Sequence, residues 1–299
     1  MKTVATEPGV PAEATSGGIG DLAELVKARL TLLVLLTTAV GFYLGTEGAL
    51  NLLALLHAVV GTAMAAAGAS ALNQWWERPQ DALMHRTRER PIPGGRMTPR
   101  HAVLVGLALS VAGVVYLAVV CNWLSAFLAA ITVAIYVLAY TPLKRVSTVN
   151  TLVGAVPGAL PPMIGWAAAS GNVAGPAWSL FAILFCWQMP HFFALAWMYR
   201  EDYARGGFQM LSRGDDTGVR SASQGVLFCM LLLILTGMPM YVGLTTQIYL
   251  PFALVLGGWF TFMAMQFHRK KTFQSARGLF LASIIYLPLL LVLLALTKR

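Results

Sequence analysis

The chain has 299 residues, of which 58% are hydrophobic and 11% charged, and its net charge is +9. Soluble domains carry about 25% charged residues, so the composition excludes a soluble globular protein and describes an integral membrane one. The basic excess has no soluble domain to carry it, which also excludes a nucleic-acid-binding role.

Residues 1–20 are rich in Gly, Ala, Pro, Thr and Glu, and a disordered tail is expected there. They show neither the apolar run of a signal peptide nor the Arg-rich character of a transit peptide. A bacterial inner (plasma) membrane is the expected location. Asp21–Arg29 reads as a short interfacial helix, and a single domain is expected over 21–299. Glu47 aside, no Asp, Glu, Lys or Arg occurs in 30–76, 101–143, 146–199, 221–268 or 278–297. A span needs about 20 residues, so the first four windows must each fold back once. They do so at Gly45–Ala49, Cys121-Asn122, Ser170–Pro176 and Thr245–Gln247. The fold class is therefore all-α and polytopic, with nine transmembrane helices. These lie near 29–46, 52–73, 101–120, 123–141, 149–168, 177–200, 222–244, 249–267 and 278–297. With the N-terminus cytoplasmic, every Lys and Arg except the terminal Lys298 and Arg299 falls inside. That one-sided field also suits anionic lipid. Cys121, Cys186 and Cys229 have no metal or disulfide spacing and read as packing residues.

The long inner segments are 74–100 and 201–221, and function is expected there. Asn73, Glu77 and Asp81 stand one helical turn apart at the end of the second span. On a helix they share a face, within about 80° of arc and about 12 Å of rise. Two carboxylates and an amide carbonyl so placed suit a hard divalent cation shared with substrate phosphates. Arg86 and Arg90 stand ready to grip what the metal leaves unneutralised. Asp202 is the best-placed acid for a second metal. Asp215 and Asp216 read equally as ligands or as turn residues. Pro142 separates Tyr140 from Lys144 and predicts a turn, from which both side chains can donate to a phosphate oxygen. His191, deep in the sixth span, needs a partner or a ligand. A hydrogen bond to a neighbouring helix and contact with a planar ligand such as an iron porphyrin both remain open. Its spacing from Asp202 is close to three turns and predicts a shared face unless Pro190 disturbs the register. His57, His85, His101 and His268 lie at span ends or in loops and carry no assigned role.

Taken together, these residues resemble the intramembrane aromatic prenyltransferase superfamily, and within it the haem-farnesylating members. The resemblance rests on Asn73-x3-Glu77-x3-Asp81-x2-Met84-x-Arg86-Thr87-x2-Arg90-Pro91 and on Tyr140-Thr-x-Leu-Lys144-Arg145. It extends to Trp187-Gln-x-Pro190-His191-Phe192 and to Asp202-Tyr203 with Met210-Leu211. It implies nine helices around a cavity open to the bilayer. It implies Mg²⁺ (Mn²⁺ as the alternative) on Asn73, Glu77, Asp81 and Asp202, which are also the catalytic set. Diphosphate would meet Arg86, Arg90, Tyr140, Lys144 and Arg145, and His191 would contact haem. The implied reaction joins farnesyl diphosphate to the 2-vinyl group of protohaem IX with addition of water, giving haem O. A haem A synthase or terminal oxidase is implied downstream. Glu77 stands where the superfamily more often has Asp, and only Asp202 remains of the usual second Asp-x3-Asp pair. The rival readings are a prenyltransferase acting on a quinone precursor or chlorophyllide, a transporter, and a non-catalytic haem-binding assembly factor.

Overall fold

The computed structural model describes residues 18–299, so the tail expected over 1–20 lies almost wholly outside the described residues. A short helix α1 (Ile19–Leu25) leads into α2 (Ala28–Gly45) and α3 (Leu52–Asp81). Helix α4 (Pro99–Tyr116) ends in a widened π turn over Leu117–Cys121. Asn122 then caps α5 (Trp123–Ala134) by accepting the Ser125 amide at 2.9 Å. A second π turn, Ile135–Tyr140, runs directly into α6 (Thr141–Leu143). Helices α7 (Asn150–Ala159) and α8 (Pro161–Ser170) form one broken crossing, followed by α9 (Gly175–Met198) and the short α10 (Arg200–Arg205). Then come α11 (Val219–Leu235), α12 (Met238–Tyr241), α13 (Tyr249–Lys270) and α14 (Phe273–Leu296).

Eight of these segments are long and apolar enough to cross a membrane, among the described residues. The first span expected from the sequence is represented by a shorter apolar stretch, Thr31–Gly45. Large apolar side chains such as Val119, Leu138, Ile234 and Val255 point outward. That is the expected surface for a protein solvated by lipid.

Close approach between helices comes from small residues, since apolar burial gives no drive inside lipid. On α3 and α4, Gly68 faces Ser110 and Gly113 faces Ala65. A Cβ at Gly113 would lie 2.5 Å from the Ala65 amide nitrogen. Gly41 of α2 lies against Pro162, and Gly165 of α8 against Thr38. The α7–α8 and α9 crossings are central: 67% of each apolar window is buried, against 22% in the α4 crossing. Helix α9 passes through Pro190 unbroken. The chain breaks instead at Tyr199 (φ −109°, ψ 25°), where α10 begins. The continuous register expected between His191 and Asp202 is therefore lost.

Candidate active site

Helix α3 outlasts its apolar stretch and carries Asn73, Gln74, Glu77, Gln80 and Asp81 into the protein as buried groups. Such groups need partners, and cations supply most of them. Lys27 Nζ donates to Asn73 Oδ1 at 2.8 Å, and Asn73 Nδ2 donates to Thr141 Oγ1 at 3.1 Å. Lys144 Nζ lies 2.7 Å from Glu77 Oε1, an ion-pair contact without hydrogen-bond alignment. Arg90 donates to Asp81 Oδ2 at 2.7 Å. Asp81 Oδ1 and Gln80 Oε1 are buried and accept no hydrogen bond.

The stretch from Tyr140 to Lys144 is helical, which corrects the turn expected from Pro142. Proline is tolerated in a first turn, where its missing N–H has no partner to lose. Here it opens α6, directly after the π turn. The Lys144 amide donates to Tyr140 O at 3.2 Å, so the two side chains are one turn apart on one face. Lys144 Nζ lies 4.5 Å from the Tyr140 ring centroid and 5.5 Å from that of Phe208. Burial works to lower the Lys144 ammonium, but Glu77 with the Tyr140 and Tyr136 hydroxyls outweighs it and holds the cation above the ordinary lysine range. Gly154 faces the Tyr140 ring, where a Cβ would press into Cε2 and Cδ2.

The two inner segments pack on each other over this cluster. Met84 is buried with Phe208 and Met210. Asp202 accepts the amides of His85 (3.1 Å) and Arg86 (3.2 Å) and pairs with Arg205 at 2.8 Å. Burial raises the Asp202 carboxyl, yet those two amides and Arg205 prevail and hold it below the ordinary carboxylate range. Asp202 thus staples the loop after α3. Arg86 reaches the cavity with its guanidinium over the Tyr199 and Tyr203 rings, 5.5 and 5.8 Å from their centroids. Arg145 is exposed and stands apart from the cavity. Asp215 accepts the amides of Arg220 and Ser221 in the first turn of α11, which accounts for its burial as a helix cap. Asp216 is exposed.

A cavity of about 380 Å³ runs inward from Glu77, Asp81, Arg90 and Lys144. The rest of its lining is mostly apolar, with Val34, Ala69, Pro161 and Leu287, and includes an aromatic floor of Trp187, His191 and Phe192. The His191 ring packs against Trp187 and Phe280, with centroids at 5.7 and 4.6 Å. Its Nδ1 meets Ser283 Oγ of α14 at 2.7 Å. Asn73 and Asp202 stand behind the lining rather than in it.

Sequence reasoning missed Lys27 as a site residue. Its backbone is left-handed (φ 50°, ψ 52°), an uncommon state for a residue with a Cβ. That kink between α1 and α2 turns its ammonium into the cavity. Burial, with Arg90 and Lys144 nearby, lowers that ammonium to about 7. The available signal was its place between an interfacial helix and a span. Tyr136, whose hydroxyl lies 3.5 Å from Lys27 Nζ, left no such signal.

A sequence model of the UbiA prenyltransferase family matches residues 34–293. The chain is 44% identical over 287 residues to a protoheme IX farnesyltransferase of Solibacter usitatus (strain Ellin6076), covering 93% of this chain and 98% of that one. A second such protein, from Koribacter versatilis (strain Ellin345), is 38% identical over 311 residues, with 100% and 99% covered. Among solved structures, a digeranylgeranylglyceryl phosphate synthase superposes with a TM-score of 0.77 at 15% identity, covering 93% and 98%. A UbiA homolog from Archaeoglobus fulgidus bound to DMAPP and Mg²⁺ gives 0.69 at 15%, covering 92% and 99%. The helical architecture, the paired charges at the end of α3 and this breadth of sequence match agree: the chain is a multi-pass membrane protein and belongs to the UbiA prenyltransferase family.

Proposed function

We propose that this chain transfers the farnesyl group of farnesyl diphosphate to the 2-vinyl group of protohaem IX, with addition of water, giving haem O and diphosphate. One observation carries the reading: a single cavity joins the charged mouth at Glu77, Asp81 and Lys144 to the aromatic floor at His191. The similarity to named protoheme IX farnesyltransferases supports the choice of substrates.

Asp81 Oδ1 is a buried oxygen with no donor, and Glu77 Oε1 is held only by the ion-pair contact with Lys144, so both carboxylates can turn to a hard cation. Among the described residues no three His, Cys, Asp or Glu side chains come together to hold an ion alone. The fit is therefore to a cation shared with phosphate oxygens. Glu77 and Asp81, which line the cavity, would hold Mg²⁺, with Mn²⁺ as the alternative; Asn73 and Asp202, behind the lining, would join by giving up Lys27 and the His85, Arg86 and Arg205 contacts. When bound, the ion screens the diphosphate and makes it a better leaving group. Arg86, Arg90, Tyr140 and Lys144 hold the diphosphate oxygens and stabilise the charge that develops on them. Arg145, exposed and outside the cavity lining, adds to the field that draws the anion in.

The C–O bond at the farnesyl C1 breaks and its electron pair leaves with diphosphate. The terminal vinyl carbon of protohaem bonds to C1, and the positive charge moves to the carbon beside the porphyrin ring. Water adds there and releases a proton, leaving a hydroxyl. His191, with Trp187 and Phe192, holds the porphyrin. The apolar walls keep other water from the cation. The mouth faces the cytoplasm of a bacterial inner membrane, and a haem A synthase or terminal oxidase consumes the product.

Purified protein incubated with protohaem, farnesyl diphosphate and Mg²⁺ is expected to yield a porphyrin whose mass rises by one farnesyl group plus one hydroxyl. An unchanged porphyrin, with a quinone precursor or chlorophyllide prenylated in parallel assays, would reassign the acceptor. Movement of solute into vesicles without any covalent product would remove the enzymatic reading.

A further inference from the structure

His191 is the only histidine that lines the cavity among the described residues. An imidazole there has two faces to account for. Its Nδ1 lies 2.7 Å from Ser283 Oγ, and no protein atom hydrogen-bonds its Nε2. Nε2 is also absent from the buried, partnerless atoms, so it has open space beside it. The ring lines the cavity and packs against Trp187 and Phe280, inclined to them by 29° and 31°.

Which nitrogen carries the proton follows from counting hydrogens on Ser283. A hydroxyl has one proton to give. Ser283 Oγ lies 2.5 Å from the Phe280 carbonyl oxygen, one turn back on α14. Two oxygens that close require a proton between them, so the Ser283 hydroxyl is committed to Phe280. Toward His191 it has only lone pairs to offer, and the proton of the 2.7 Å contact must come from Nδ1. The Ser283 carbonyl is tied as well, accepting from Trp187 Nε1 at 2.9 Å. Trp187 and His191 are thus anchored to one residue of α14, four positions apart on α9.

We propose that Ser283 is a positioning residue: it fixes His191 as the Nδ1–H tautomer, so that Nε2 presents its lone pair into the cavity as a ligand for the metal of a metalloporphyrin. The inference rests on the acceptor reading given above. A ligand histidine whose far nitrogen is hydrogen-bonded is oriented and made more basic, and loss of such a partner typically costs about 10–100-fold in metal affinity. The consequence is selectivity for the metallated ring, because a metal-free porphyrin has nothing for Nε2 to bind.

Two measurements on the full-length, detergent-purified protein test this. In ¹⁵N-histidine NMR of the ligand-free protein, the signals lost in His191→Ala identify the residue. Protonated Nδ1 with a bare Nε2 is expected; a proton on Nε2 overturns the proposal without any Ser283 variant. In porphyrin titrations, Ser283→Ala is expected to weaken ferric protohaem binding by about 10–100-fold and to shift the iron–histidine stretch of the ferrous complex. Metal-free protoporphyrin IX and farnesyl diphosphate should bind as before, and Ser283→Thr should restore haem binding. Unchanged haem affinity and stretch in Ser283→Ala, with both lost in His191→Ala, would reduce Ser283 to a packing residue. Haem binding untouched by His191→Ala would instead sink ligation by His191, whatever Ser283 does. Normal haem binding without farnesyl transfer would fail the reaction assignment alone.

Discussion

The two ends of the cavity solve opposite problems. At the mouth, each buried anion already has a cation: Glu77 has Lys144 and Asp81 has Arg90, while the Asn73 amide holds Lys27. A substrate carrying both negative charge and a metal must re-partner all of these groups. At the floor, one imidazole packs against aromatic rings with one nitrogen satisfied and the other free. A ligand arriving there displaces no ion pair. The mouth is held together by exchangeable charges and the floor is set in advance by packing.

Substitution at the mouth should break this contrast most strongly. Asp81→Asn keeps the shape but removes the charge, and turnover at saturating Mg²⁺ should fall by about two to three orders of magnitude. Near-normal rates in the purified variant would remove Asp81 from the proposed metal set. Next in size is Lys144→Ala, which leaves Glu77 charged and buried. Removing one partner of a buried pair costs about 3–5 kcal/mol, so thermal unfolding in detergent should move sharply downward. The double variant Lys144→Ala/Glu77→Ala should recover most of that stability and none of the activity. Recovery of activity as well would mean the pair is scaffolding.

At the floor the expected loss is selective. His191→Ala should weaken haem binding by about tenfold or more and leave farnesyl diphosphate binding nearly unchanged. Equal loss of both ligands, read by parallel titrations, would make His191 structural and erase the distinction between the two ends. The smallest effect is the loop staple. Because the Asp202 carboxyl is held below its ordinary value, its contribution is complete above about 3.8 and disappears as pH falls through the lowered value. Hydrogen exchange at the His85 and Arg86 amides should accelerate across that acidic window. Asp202→Ala should show the fast rates already at neutral pH, and unchanged protection there would deny the staple.

Some of this site was legible in the sequence. Asn73, Glu77 and Asp81 share a face because a helix repeats about every 3.6 residues, and all three are buried together at the end of α3. The Tyr140–Lys144 stretch was misread. Local rules treat Pro142 as a breaker, and only the preceding π turn, packed against α7 and α5, admits it to a helix. The His191–Asp202 register failed for a related reason. The break at Tyr199 frees Asp202 to meet the loop after α3, more than a hundred positions upstream.

Membrane crossings and the acidic face of α3 were determined by the sequence alone, because hydropathy and helical period act over neighbouring residues. Which cation meets which anion was decided only by tertiary structure. Lys27 reaches Asn73 through a left-handed kink, and Ser283 meets His191 from 92 positions away. Coulomb attraction and hydrogen bonding act through space, so such partners exist only once the helices that carry them have packed.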